Sequence, residues 1–160
     1  EIPLRLVGSE MCIRDRCTEG QRKETGEIVM TGLIICGHGD FAAGMYSSLK
    51  LLNGECEHLV CISFQEGTSF EDLCDTVNKE VERFIDGNVI ILTDLPGGSP
   101  FKAAAMATFQ YGYARAVTGT NFPLLLDLVL SRDYAEDVDQ LLDQSIDNAR
   151  EALMKMSLEQ

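Results

Sequence analysis

Two short loops hold the side chains that could do chemistry. His38 stands between Gly37 and Gly39, and Asp94 stands just ahead of Leu95-Pro96-Gly97-Gly98-Ser99-Pro100. An imidazole flanked by glycines has little bulk around it and is open to solvent or to another protein. Neutral imidazole is a good nucleophile near pH 7, because one ring nitrogen keeps its unshared pair. For one nitrogen to attack, the other needs an acceptor. Asp94 is the acid in these loops best placed for that, which repeats the base-and-orienter logic of catalytic triads. A phosphoryl group arriving on His38 would bring negative charge. The amides around Gly97 and Gly98 and the hydroxyl of Ser99, at a helix start, could receive that charge without a cation. Lys102 is the nearest basic residue in sequence, about one turn into that helix. The absence of a clustered Arg/Lys cage suits a phosphate that is passed on rather than held.

Buried strands must bring these loops to one place. Leu33-Ile34-Ile35 leads into Gly37-His38-Gly39, and Val89 to Leu92 leads into Asp94. Apolar runs of this length, each followed by a helical pattern, predict parallel strands covered on both faces. The first helix takes Asp40 as N-cap, sets Phe41, Met45, Leu49 and Leu52 on one face, and stops at Asn53-Gly54. A second strand covers Leu59 to Ile62. Thr68-Ser69-Phe70-Glu71 reads as a capping box, and Phe70, Leu73, Cys74, Val77, Val81, Phe84 and Ile85 recur at helical spacing up to Gly87. Ser99 as N-cap, with Pro100 at the first helical position, opens a helix through Phe101, Ala104, Ala105 and Phe109. Tyr113 to Val117 is the fourth strand. Asn121-Phe122-Pro123 starts a short helix through Leu130, and a last helix aligns Val138, Leu141, Leu142, Ile146, Ala149 and Leu153. The fold class is α/β: a doubly wound, mainly parallel sheet of four strands with helices on both faces. Turns at the C-terminal ends of such strands gather on one edge, where these folds place their chemistry.

Bulk properties narrow the function classes. The chain has 160 residues, 45% hydrophobic and 24% charged, and a net charge of −13. That length supports one domain with a proper core. The charge argues against nucleic acid or an anionic membrane surface as partner. No apolar stretch approaches the ~18 residues of a membrane span, and no secretory signal is visible, so a cytoplasmic location is expected. Residues 1–29 lack strand or helix periodicity and read as an extension outside the domain, which is taken as residues 30–160. Within that extension Glu10 to Arg16 resembles translated adapter sequence, and Lys23 to Val29 reads as translated leader before a start at Met30.

The same residues admit competing chemistry. Cys36, His38, Cys56, His58 and Cys61 could be assembled into a metal site, but their spacing matches no zinc ligand pattern, and Cys36 and Cys61 are expected to be reduced thiols inside strands. No metal and no cofactor is expected. Gly37-His38-Gly39-Asp40-Phe41-Ala42 also fits the dinucleotide fingerprint. The ribose-binding acid that should follow about twenty residues on is replaced by Ser63-Phe64-Gln65, with Glu66 placed late. His58, at a strand start after Glu57, reads as a solvated residue.

At these residues the chain resembles enzyme IIA of the mannose family of the bacterial sugar phosphotransferase system, over about Thr31 to Leu158. Gly37 to Gly44 is similar to the family's phosphorylation-site loop, Gly-His-Gly-x-Phe-Ala-x-Gly. Asp94 to Phe101 is similar to its Asp-x-x-Gly-Gly-Ser-Pro-Phe signature, and Thr120-Asn121-Phe122-Pro123-Leu124 to its third loop. The resemblance implies that His38 accepts a phosphoryl group from the phosphocarrier HPr and passes it to a histidine of a IIB subunit or domain. It implies Asp94 as hydrogen-bond partner of His38, and Gly97, Gly98 and Ser99 as phosphate contacts. It further implies a homodimer with a strand exchanged across the interface, a swapped fifth edge strand that the stretch from Thr118 to Asp133 would have to supply. Leu95-Pro96 departs from the aromatic variant of the second loop and is closer to the N-acetylgalactosamine branch. A phosphotransfer subunit for dihydroxyacetone kinase, a regulatory phospho-acceptor domain and a non-enzymatic binding module stand as alternatives. The related kinase and regulatory domains usually carry a different loop in place of Gly-Gly-Ser-Pro-Phe.

Overall fold

Leu33, Ile34, Ile35 and Cys36 are all fully buried, as are Val89 to Leu92. A strand can be apolar at every position only where both faces of its sheet are covered. The computed structural model describes residues 21–22 and 28–156. It places the first run in β3 (Thr31–His38) and the second in β5 (Asn88–Thr93). With β4 (Leu59–Phe64) and β6 (Ala114–Val117) they form an all-parallel sheet in the order β4-β3-β5-β6. The short strands β1 (Gln21–Arg22) and β2 (Ile28–Val29) pair antiparallel with each other, apart from this sheet, within the extension expected over 1–29. The adapter-like segment 10–16 and most of the leader reading over 23–29 lie outside the described residues.

Five helices follow among the described residues: α1 (Phe41–Asn53), α2 (Phe70–Glu82), α3 (Ser99–Gln110), α4 (Phe122–Ser131) and α5 (Val138–Glu151). Alternation along the strands sends Leu33, Ile35, Ile90 and Leu92 into a core shared with α1, α4 and α5. Ile34, Cys36, Val89 and Ile91 go to the opposite core, shared with α2 and α3. The doubly wound architecture read from the sequence is therefore the observed one. The chain leaves β3 towards β4 on one side, then returns past β3 to place β5 on the other. The crevice between the carboxyl ends of β3 and β5 is thus the topological switch point.

Several local expectations shift. Asp40 sits at the N-cap of α1 but makes no side-chain cap; its Oδ1 accepts from Gln65 Nε2 at 3.3 Å. The box of α2 is displaced by one residue: Ser69 Oγ accepts from the Asp72 N–H at 3.0 Å, a cap of about 1 kcal/mol. Gly98, not Ser99, is the N-cap of α3, so Ser99 is already helical. Leu52, Ile85, Phe109 and Leu153, grouped with buried faces by periodicity, are exposed. In α3 the buried stripe is Pro100, Ala103, Ala104 and Ala107. Small residues there let the helix approach the sheet closely and turn Phe109 outward. Cys61, expected inside a strand, is exposed because β4 is an edge strand. Within the single chain, Phe122–Ser131 forms α4 and Arg132–Tyr134 a 3-10 turn.

At the amino ends of the strands lies a buried arginine. Arg132, 2% exposed, donates to the carbonyls of Thr31 (3.1 Å), His58 (3.2 Å) and Glu57 (2.6 Å), and to Cys56 Sγ at 3.4 Å. It thereby ties β3 to the turn that enters β4, where His58 adopts a positive φ of 54°. Arg132→Ala would remove the donor to the buried Thr31 carbonyl, two part-buried bonds to Glu57 and His58 and the neighbour of Asp133, so a loss of about 3 kcal/mol is expected from urea unfolding, far above the effect of an exposed Arg→Ala change.

Candidate functional site

The apolar strands decide where the two loops meet. β3 pairs with β5 in a register that sets Cys36 opposite Thr93. Each strand's loop therefore leaves the sheet at the same edge, and His38 comes within reach of Asp94 although 56 residues separate them. The His38 Nδ1 lies 2.8 Å from Asp94 Oδ2, and the same oxygen accepts the His38 backbone N–H at 2.8 Å. The other oxygen, Oδ1, accepts from the Leu95 N–H at 2.8 Å. One carboxylate is thus used on both oxygens and grips His38 twice.

These contacts set the charge. Burial pushes the Asp94 carboxyl up, but the His38 backbone N–H, the His38 ring and the Leu95 N–H outweigh it and hold the pKa below the ordinary carboxylate range. An ionised carboxylate can only accept, so His38 carries its proton on Nδ1 and leaves the lone pair on Nε2. The imidazole side chain is 43% exposed while Asp94 is 14% exposed. The ring is open to solvent and its carboxylate partner is sheltered. Cys36, two residues upstream of His38, offers no rival nucleophile: burial first, then the Asp94 charge, push its thiol up to about 12.

Beneath the ring lies the Gly-Gly turn. Gly97 has φ of 75°, a left-handed conformation that favours glycine. Gly98 has an ordinary φ of −67°, and the reason for glycine there is space. A Cβ on Gly98 would stand 2.9 Å from His38 Cε1 and 3.6 Å from Nε2. Ser99 opens α3 directly after this contact, so the N-terminus of that helix adjoins the ring, while the Gly98 N–H donates to the Leu95 carbonyl at 3.2 Å. Thr93 Oγ1 donates to the Val117 carbonyl at 2.9 Å, and the Thr120 N–H donates to the Thr93 carbonyl at 3.1 Å. These bonds fasten the third loop beside the second. Asn121 Oδ1 caps α4 through the Leu124 N–H at 3.0 Å.

Sequence reasoning paired His38 with Asp94 and set the Gly97-Gly98-Ser99 turn beside them, and the structure brings those positions together. Lys102 lies exposed in the first turns of α3. Sequence reasoning did not find Phe64. The strand expected to end at Ile62 continues to Phe64, which pairs in register with His38. Its ring lies edge-on to the imidazole, with centroids 5.7 Å apart and planes at 74°. The available signal was the length of the apolar run, which passes Ser63 and includes Phe64. Among the described residues no group of three or more His, Cys, Asp or Glu side chains is arranged to hold a metal ion. Likewise, no helix there is long and apolar enough to cross a membrane.

Fold and site together define a doubly wound α/β domain that presents a carboxylate-oriented histidine at its switch point. The family described as PTS system fructose IIA component matches residues 32–146, and the chain belongs to that family of sugar phosphotransferase IIA domains. It is 29% identical over 126 residues to the mannose-specific EIIAB component of Escherichia coli K12, covering 78% of this chain and 39% of that protein. The chain thus spans about two fifths of the length of that relative. It is 32% identical over 100 residues to the sorbose-specific EIIA component of Klebsiella pneumoniae, covering 62% of this chain and 73% of that one. The crystal structure of the phosphotransferase system component EIIA from Streptococcus agalactiae superimposes with a TM-score of 0.74 at 35% identity, covering 79% of this chain and 97% of that chain.

Gly98→Ala tests the close approach of ring and turn. With no backbone strain to absorb, the added methyl must displace the imidazole, and a displacement of this order is worth 10- to 100-fold in rate. We expect the His38 ring NMR signals to move, the capacity to accept a phosphoryl group to fall by about that factor, and thermal unfolding to stay close to that of the parent.

Proposed function

We propose that this domain is a phosphoryl carrier of a sugar phosphotransferase system, taking a phosphoryl group from phospho-HPr on His38 and passing it to a histidine of a IIB subunit or domain during sugar uptake. The observation that carries this reading is the His38–Asp94 pair, accessible at Nε2 and anchored at Nδ1. Membership of the IIA family supports it.

The step balances without a cofactor. The Nε2 lone pair of His38 forms a bond to phosphorus while the donor's P–N bond breaks, and that electron pair returns to the donor nitrogen. The Nδ1 proton stays between ring and Asp94, whose negative charge offsets the positive charge that develops on the ring. The Gly97-Gly98-Ser99 turn receives the phosphoryl oxygens at the start of α3, where the helix dipole favours an anion. Transfer onward reverses the same sequence. Such a role places the domain in the cytoplasm. The sugar belongs to the mannose or N-acetylgalactosamine type, a reading supported by the loop Asp94-Leu95-Pro96-Gly97-Gly98 and by a relative named for mannose.

The working unit proposed here is a homodimer. β6 is an edge strand, and beside it Phe101, Ala116, Val117, Leu124, Ile146 and Leu153 line an apolar groove. Beyond α5 the chain carries Leu153, Met154 and Met156, 88%, 78% and 86% exposed. An exposed apolar segment beside an open sheet edge is suited to a second copy of the chain. Light scattering is expected to give twice the chain mass, and Leu153→Asp to shift it towards the monomer.

Incubation with phosphoenolpyruvate, enzyme I and HPr, followed by mass spectrometry, is expected to add one phosphoryl group per chain. His38→Ala should abolish that addition with the fold retained, since an exposed side chain at the end of β3 contributes little packing. Asp94→Asn should slow it about 10- to 1,000-fold, because an amide can hold the ring in the wrong tautomer. Retained labelling of His38→Ala would move the site to another residue.

A further inference from the structure

Phe64 joins the site from the side that neither sequence motif covers. β4 and β5 flank β3 on opposite sides, so His38 has Asp94 and Gly98 on one hand and Phe64 on the other. The bond from Nδ1 to Asp94 and the Cβ–Cγ bond fix one side of the imidazole, yet small changes in its side-chain torsions still tilt the far side, where Nε2 lies. Gly98 sets a limit of approach but has no side chain with which to press back. Register-paired residues in parallel strands leave the sheet on the same face about 4.8 Å apart, which is how the Phe64 ring comes to stand edge-on to the imidazole at 5.7 Å. That wall is firm. Phe64 packs on the core formed by Ile34, Cys36 and Ile62 under α2 and α3, and its carbonyl accepts the Gly39 N–H at 2.9 Å.

We propose that Phe64 is a positioning residue for His38, fixing the plane of the imidazole so that Nε2 points at the incoming phosphorus while Asp94 fixes its tautomer. The inference deepens the phosphocarrier reading and rests on it for the identity of the group transferred. Phe64 touches neither the phosphoryl group nor the donor in this role; it acts through the ring of His38. The new P–N bond forms from Nε2 and the donor's bond to phosphorus breaks, as above. Phe64 changes how often the lone pair is aligned for that exchange, not the electron count.

The test uses the whole chain and the variants F64L, F64A and F64Y, with two phosphoryl donors. Phospho-HPr must dock, whereas phosphoramidate is a small phosphorylating reagent that needs no docking surface. F64L keeps apolar volume without a flat ring and F64Y keeps the ring. We expect F64L and F64A to accept phosphate 3- to 10-fold more slowly from both donors, the range that loss of one aromatic contact supports. The loss is expected in the limiting rate rather than in the apparent affinity for phospho-HPr, with F64Y close to the parent. In the unphosphorylated protein, nitrogen NMR of His38 is expected to show the Nδ1 proton exchanging faster with solvent in F64L than in the parent or F64Y. Parent-like rates and ring signals in F64L would overturn the proposal. A loss confined to phospho-HPr would overturn it as well, because Phe64 would then belong to the docking surface. If the parent chain accepts phosphate from phosphoramidate and not from phospho-HPr, the carrier reading fails while the phosphoramidate rates and ring signals still decide the role of Phe64.

Discussion

The 2.8 Å contact between His38 Nδ1 and Asp94 Oδ2 is the constraint around which the site is organised. It needs two strand ends side by side, and hence a sheet in which β3 and β5 are neighbours although β4 comes between them in the chain. Doubly wound topology supplies that arrangement at its switch point. The contact also needs a carboxylate that stays ionised. Two backbone amides keep it so by bonding to Asp94 together with the ring. Remove the strand adjacency and neither loop would retain a reason for its composition.

The electrostatics around this pair differ from those of a tight phosphate-binding site. A P-loop surrounds phosphate with amides and adds a lysine. Here the N-terminus of α3 adjoins the ring, with Lys102 exposed in the first turns of that helix. On a chain with net charge −13, the phosphoryl group of the proposed function would sit in an unfavourable long-range field and a favourable short-range one. That combination suits a phosphoryl group held for a short time. Arg132 makes the contrast clear: among the described residues the one buried arginine is spent at the amino ends of the strands, on the carbonyls of Thr31, Glu57 and His58.

Much of the fold was legible because each signal was local. Continuous apolar runs at Leu33 to Cys36 and Val89 to Leu92 announce strands covered on both faces, and Ser69 and Asn121 announce helix starts within a residue of those observed. What misled was side-chain size. Phe109, Leu52 and Ile85 look like core residues by type and period, and all are exposed, because periodicity tells which residues share a face without telling how wide a strip the neighbours cover. Cys61 failed for a related reason. An apolar strand reads the same whether it lies in the middle of a sheet or at its edge, and only the strand order makes β4 an edge.

For the site, residue type and spacing alone determined that a histidine between glycines, an acid and a Gly-Gly-Ser-Pro helix start would sit at strand ends. They did so because each is a property of a few consecutive residues. Tertiary structure decided which oxygen of Asp94 meets which nitrogen, why position 98 has no room for a methyl, and that Phe64 stands beside the ring. Those facts depend on the lateral order and register of strands far apart in the chain. Register is set by how whole apolar faces fit one another, a collective outcome that no short stretch of residues encodes.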